Sequence, residues 1–433
     1  MIKLKLIGTW QISRKKYFGC LYSTENGDLV LKVYLDQNAL ELEDKVSIIN
    51  GVTSDNEPVT LKDCIKRRKR GNYIEYLVSD MFLGEHFDKA DDVRFQKIIV
   101  SYTNLNSWFD HPNMIQSTRG EKGLIIRATA LNTTPVEVND WRITLRSDPN
   151  LRFSDYKKKI ELETKIYFQI EPSSVETKEF GDFLYPIRQL QNLITFITTS
   201  PSGVEELLGV IGGERDRKVK IYCRTLSRPI GEKVPIGSFL FRFTEIQEKF
   251  DKIVYSWFSE DLRPLHEHYF STIYLPRYVE DKLIYLIFAL ESYHRMKYKG
   301  EYMYKEDWEI VHKEITEKIK TIKGLSEDHK KALENRLRYG YEYSLRKRLR
   351  ELYKCHEDIV SMFMNEQLIN RAIEIRNEVV HPSNRRSYSV SEVDEITEKL
   401  KLFVEVILMK EIGIEEDVIK DLVNELIKQR GIR

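Results

Sequence analysis

Arg376 and His381 stand in the run Glu374-Ile375-Arg376-Asn377-Glu378-Val379-Val380-His381-Pro382. Their types suit phosphodiester chemistry. A guanidinium grips phosphate oxygens through a planar fork of donors, and an imidazole moves a proton near neutral pH. Together they suffice to cleave an RNA strand through attack by its own 2′-hydroxyl, without a metal. Asn377 and His381 are four apart and share a face on a helix. Arg376 is five before His381 and points elsewhere unless His381 leaves the helix. Pro382 offers that exit, because the residue before a proline is pushed out of the α region.

Spacing alone is a weak signal, since Arg263 with His268 and Arg350 with His356 match it almost as well. Other residues give this pair its context. Glu291 and Arg295 are four apart near the end of an apolar helical stretch. Their carboxylate either orients the guanidinium or imidazole, or belongs to an ordinary surface ion pair. Arg385 and Arg386 follow Pro382-Ser383-Asn384, in a loop suited to a phosphate backbone or simply solvated. Arg346, Lys347, Arg348 and Arg350 flank a stripe of Leu345, Leu349 and Leu352. They read either as the solvent face of that helix or as an RNA contact. Lys66-Arg67-Arg68-Lys69-Arg70-Gly71 separates two strands, as a solvated hairpin tip or as a phosphate-binding loop. His86, His294 and His356 have no evident partner and read as structural.

The elements that would position these residues fall into two halves. Tyr17–Ser23, Leu29–Leu35, Val46–Ile49, Val59–Cys64, Tyr73–Phe82, Ile98–Tyr102, Gly123–Ala130, Trp141–Leu145, Lys165–Ile170, Val219–Cys223 and Phe239–Phe243 read as strands. Asn26-Gly27 supplies the turn of a first hairpin. Phe183–Thr198 has apolar residues at helical spacing. The pattern predicts a sandwich or curved sheet with some helix over 1–240. Beyond it, 241–433 reads as all-α, and no proline occurs between Pro276 and Pro382. Helices are expected at Ile246–Trp257, Leu262–Phe270, Asp281–Lys297, Trp308–Lys320, Asp328–Arg338, Ser344–Met362 and Gln367–Val380. Two more follow, at 389–410 behind a Ser389/Glu392 capping box and at 415–428.

The chain of 433 residues is long for one core, so an α+β multidomain protein is expected. Lys and Arg number 69 against 68 Asp and Glu, so any polyanion site must be a local patch. Cys20, Cys64, Cys223 and Cys355 lack zinc-ligand spacing and read as reduced thiols of a cytoplasmic protein. No cofactor or metal site is expected. Met1–Trp10 has no leader-like apolar core, and no apolar run is long enough to span a membrane.

Arg376-Asn377-x-x-x-His381 resembles the R-N-x-x-x-H motif of HEPN-domain ribonucleases. Glu291-x-x-x-Arg295 is similar to the acidic-basic motif of the first HEPN helix, which often has lysine in place of Arg295. Tyr343-Ser344-Leu345-Arg346-Lys347-Arg348-Leu349 resembles the segment between the two motifs in ApeA-type HEPN domains. Gly8-Thr9-Trp10, Val59-Thr60-Leu61, Leu83-Gly84-Glu85-His86-Phe87 and Leu105-Asn106-Ser107-Trp108 are similar to the β-rich ApeA N-terminal domain. The resemblance implies an anti-phage, abortive-infection endoribonuclease, with His381, Arg376, Asn377, Glu291 and Arg295 catalytic. It also implies an RNA substrate, tRNA among the candidates, a homodimer or larger even assembly, and a phage-derived protein as trigger. Some HEPN toxins are modified on a tyrosine two residues after the histidine, where this chain has Ser383. A non-catalytic RNA-binding or scaffold protein with a degenerate bundle is the alternative.

Overall fold

Strands β1 (Lys5–Ile12), β2 (Lys15–Ser23), β3 (Leu29–Tyr34), β4 (Lys45–Thr53), β5 (Pro58–Arg70) and β6 (Tyr73–Leu83) present buried and exposed faces. In β2 Tyr17, Gly19 and Leu21 are buried, while Lys16 and Phe18 face out. The computed structural model describes residues 4–35, 42–109, 115–120, 123–130, 133–154, 159–174, 176–213, 216–226, 239–259, 262–381 and 386–432. They form two compact units, Met1–Tyr255 and Ser256–Arg433.

The six strands follow the order β6-β3-β2-β1-β4-β5, and β5 pairs back onto β6. The curved sheet therefore closes into a barrel. Trp10 of β1 is fully buried inside it. A Cβ on Gly51 would lie 2.3 Å from the Trp10 ring, and one on Gly19 would lie 2.9 Å away. Glycine at these positions is what lets the indole fit. Leu21, Leu31, Val33, Ile49, Leu61, Ile74 and Tyr76 complete this core.

Six further strands extend the sheet: β7 (Lys97–Tyr102), β8 (Val136–Val138), β9 (Trp141–Ser154), β10 (Lys159–Pro172), β11 (Val204–Ile211) and β12 (Arg217–Cys223). They run β8-β9-β10-β7-β11-β12 and join the barrel where β12 meets the end of β6. Helix α1 (Phe180–Thr198) buries Phe183, Ile187, Leu190, Ile194 and Ile197. The strand expected at Phe239–Phe243 is absent. Instead Phe241 packs against Phe196 while its carbonyl accepts from Trp108 Nε1 at 3.0 Å, and Phe243, which meets the Trp108 ring, starts a short helix, Phe243–Ile246.

The second unit is all-helical: α2 (Arg263–Tyr274), α3 (Val279–Tyr298), α4 (Lys305–Thr321), α5 (Glu327–Leu337), α6 (Leu345–Cys355), α7 (Glu366–Val380), α8 (Val390–Glu411) and α9 (Glu416–Arg430). Its core lies between α3, which buries Leu283, Leu286, Ile287, Leu290 and Tyr293, and α8, which buries Val393 through Met409 on most of its faces. The Ser389 hydroxyl caps α8 by accepting from the Glu392 N–H at 3.1 Å. The helix expected over Ser344–Met362 is broken at His356, where φ is −127°. Together α4 and α5 bury only Ile319, so they form a thinly packed hairpin. No helix among the described residues is long and apolar enough to cross a membrane.

Candidate active site

Helix α7 carries Arg376, Asn377 and, at its end, His381. Asn365 starts the helix by accepting from the Leu368 N–H at 2.9 Å. Ile369, Ala372, Ile373 and Ile375 fix its buried face. Arg376 sits at the margin of that face, half-buried. Its guanidinium carbon lies 5.7 Å from the centre of the Phe288 ring on α3, within cation–π reach. Nη1 donates to Asn377 Oδ1 at 3.0 Å. Nε is buried and has no hydrogen-bond partner among the described residues.

His381 closes α7. Its main-chain N–H donates to the Asn377 carbonyl at 2.8 Å, and its φ of −127° and ψ of 75° lie outside the helical region. Its side chain is exposed. Asn377 therefore ties both residues together, through its amide to Arg376 and its carbonyl to His381.

Glu291 and Arg295 belong to a different cluster. Glu291 Oε1 accepts from Arg295 Nη2 at 3.0 Å and Nε at 3.3 Å. Arg295 also pairs with Glu342. The residue of α3 beside Arg376 is Phe288, one turn before Glu291. The expected orienting of Arg376 or His381 by Glu291 is not what these contacts provide.

Arg348 requires a correction. It was expected on a solvent face or at an RNA contact, and it is fully buried. Its Nε donates to the Tyr343 carbonyl at 3.1 Å, its Nη1 to the Lys299 carbonyl at 2.6 Å, and its Nη2 to the Gly300 carbonyl at 3.1 Å. Nη2 also meets Glu342 at 3.2 Å. Arg348 thus fastens the two ends of the segment that carries α4 and α5. His294 is sealed beside it, with Nε2 3.0 Å from Glu351 and Nδ1 3.3 Å from Arg348 Nη1. Burial pushes the His294 imidazole down, against the Glu351 hydrogen bond. Arg346 is exposed.

Arg386 pairs with Glu280 and lies 4.6 Å from the Tyr388 ring centre. With Tyr278, Glu280, Asp281, Glu378, Val379 and Tyr388 it lines an open cavity of about 450 Å³. Three of those residues are carboxylates, which makes the cavity a poor phosphate site. Arg385, Pro382 and Ser383 lie outside the described residues. Phe288 was not singled out in the sequence. Its one sequence signal is its place one turn before Glu291 on the same helix.

Two family models match the chain: ApeA N-terminal domain 1 over residues 5–257 and ApeA-like HEPN over residues 285–418. The chain belongs to the ApeA-type HEPN defence proteins. The HEPN match takes in Phe288, Glu291, Arg295, Arg348, Arg376, Asn377 and His381. It places the HEPN domain in the helical unit. Searches of curated proteins and of solved structures each returned no match.

Proposed function

We propose that this ApeA-type HEPN protein is a metal-independent endoribonuclease of anti-phage, abortive-infection defence. The ribose 2′-oxygen bonds to the adjacent phosphorus and the bond from phosphorus to the 5′-oxygen breaks. A base takes the 2′-hydroxyl proton and an acid protonates the departing 5′-oxygen. The products are a 2′,3′-cyclic phosphate and a free 5′-hydroxyl. His381 is the proton-transfer group, a role typically contributing about 10²–10⁴-fold. Arg376 stabilises the charge that builds on the phosphoryl oxygens. Asn377 holds the guanidinium in place.

The observation that carries this reading is the Arg376 side chain. It is held by Asn377 on the same helix end that carries the exposed His381. A phosphate would be gripped through the outer Nη groups of the fork, since Nε is closed to it. One histidine per chain supplies an acid and a base only if two protomers share a cleft, so the active form is a homodimer or larger even assembly. The β-rich unit restrains the nuclease until an infection signal, such as a phage protein, reaches it in the cytoplasm. Arg295 serves the fold of the α3 end, through Glu291 and Glu342, more than the reacting phosphate.

The pairing of Glu291 with Arg295 favours a second reading, a bundle that binds RNA or a partner without cutting. The two part on His381→Ala in infected cells. A nuclease loses both RNA degradation and protection, and a scaffold keeps protection with its RNA never cut.

A further inference from the structure

The basic run Lys66–Arg70 plays no part in the cleavage chemistry, and the barrel places it in unusual company. Cross-strand register sets Tyr34 of β3 opposite Tyr73 of β6, and Tyr73 opposite Arg70 of β5. Phe18 of β2 stacks on Tyr34, with ring centres 6.2 Å apart. Phe18, Tyr34, Tyr73 and Arg70 therefore form one row across the outer barrel face. Phe18 is 60% exposed and Tyr34 39%. The next row holds Lys32, Glu75 and Arg68. The Lys32 ammonium lies 3.8 Å from the Tyr73 ring centre and 5.2 Å from that of Tyr34.

Charge at this end of the barrel is predominantly positive, although Glu43 is exposed there too. Glu75 is buried and taken by Arg68 at 2.6 and 3.0 Å, and Asp44 is taken by Lys66 at 2.7 Å. Arg67, Lys69, Arg70, Lys15 and Lys16 are exposed and carry no ion pair among the described residues. Arg67 occupies a bulge in the β5–β6 ladder. A chain of formal net charge +1 thus concentrates cations where its exposed aromatic row lies.

We infer that this face of the barrel, Phe18–Tyr34–Tyr73 with Lys32, Arg67, Lys69 and Arg70, is a binding surface for single-stranded RNA. Aromatic rings on an open sheet stack unpaired bases, whose faces a duplex hides. Flanking cations displace counterions from the phosphates. An acidic protein would use the cations but has no need of the ring row. The choice of RNA over DNA rests on the cleavage proposed above; the binding itself does not.

The test uses the full chain carrying His381→Ala, so that the probe is not consumed. Fluorescence anisotropy follows a labelled single-stranded RNA of about twelve nucleotides, within the span such surfaces cover. Adding Phe18→Ala and Tyr34→Ala should weaken binding at least about tenfold, as expected for two lost stacking platforms. Heparin binding should stay unchanged. Arg67→Ser, Lys69→Ser and Arg70→Ser together should weaken both ligands. They should also lower the slope of log affinity against log salt by about 2. If thermal melts show the alanine pair unfolded, Phe18→Leu with Tyr34→Leu replaces it, with the same outcome expected. Unchanged RNA binding by the folded ring variants overturns the inference. So does equal competition by duplex RNA or by polyglutamate. Cleavage by the wild-type chain is read separately, so either proposal can fail alone.

Discussion

Asn377 holds both halves of the reacting pair at once. Its amide oxygen takes Arg376 and its carbonyl takes the His381 N–H. Asn377→Ala should leave the helix folded, since the side chain is exposed, yet free the guanidinium. RNA cleavage is expected to fall by at least about tenfold, one misplaced hydrogen-bonded group being worth on the order of 1.4 kcal/mol or more. The check is initial rates beside an unchanged thermal melt. The type and order of these residues are legible in the sequence. The burial of Arg348 was legible in principle. It stands three after Leu345 and four before Leu352, so the spacing that buries Leu352 also turns Arg348 inward. Residue type, a cation, argued the other way. What decided the matter was the set of carbonyls at Lys299, Gly300 and Tyr343, which are remote in the chain or outside the helix pattern. Glu291 shows the reverse. Its spacing to Arg295 marked the ion pair correctly, but a role toward α7 depends on helix packing that spacing does not encode.

At the scale of elements, two features can be tested. Arg348 closes the neck of the α4–α5 hairpin, which buries almost nothing of its own. Arg348→Ala leaves the carbonyls of Lys299, Gly300 and Tyr343 without their donor, while Glu342 keeps Arg295. Leaving buried carbonyls unsatisfied costs about 1–3 kcal/mol. We expect a lower melting temperature and protease cuts concentrated between 299 and 343. The second feature is the break between α6 and α7. His356 is buried there against Phe403, with both ring nitrogens unpartnered among the described residues. Burial, aided by Lys410, pushes its imidazole from 6.5 down to about 4. The unfolded chain then binds this proton before the folded one does. The stability tied to His356 is fully present above about pH 6.5 and is lost as pH falls toward 4, by up to about 3 kcal/mol. His356→Phe should flatten that acid limb in melts from pH 7 to 4.5. Among the strands, most were legible from alternation. Barrel closure was not, because β6 pairs with β3, β5 and β12 at once, and such non-local pairing leaves no local pattern.

For the whole molecule, composition announced two units and placed their division near residue 240, and the compact units divide at Tyr255/Ser256. The difference arises because Phe243 and Phe250 pack with Trp108, so helical sequence belongs to the β-rich unit. The shared cleft proposed for the nuclease makes a quantitative prediction. If each cut needs a histidine from both protomers, mixing wild type with His381→Ala after subunit exchange should lower activity as the square of the wild-type fraction. A linear fall would mean that each protomer works alone.

The most direct test of the central claim is to incubate purified protein with total RNA in excess chelator and to identify the new ends. The account predicts fragments with 2′,3′-cyclic phosphate and 5′-hydroxyl termini from the wild-type chain, and at least about a hundredfold fewer from His381→Ala. Cleavage that survives His381→Ala, or that stops in chelator and returns with a divalent cation, would contradict it.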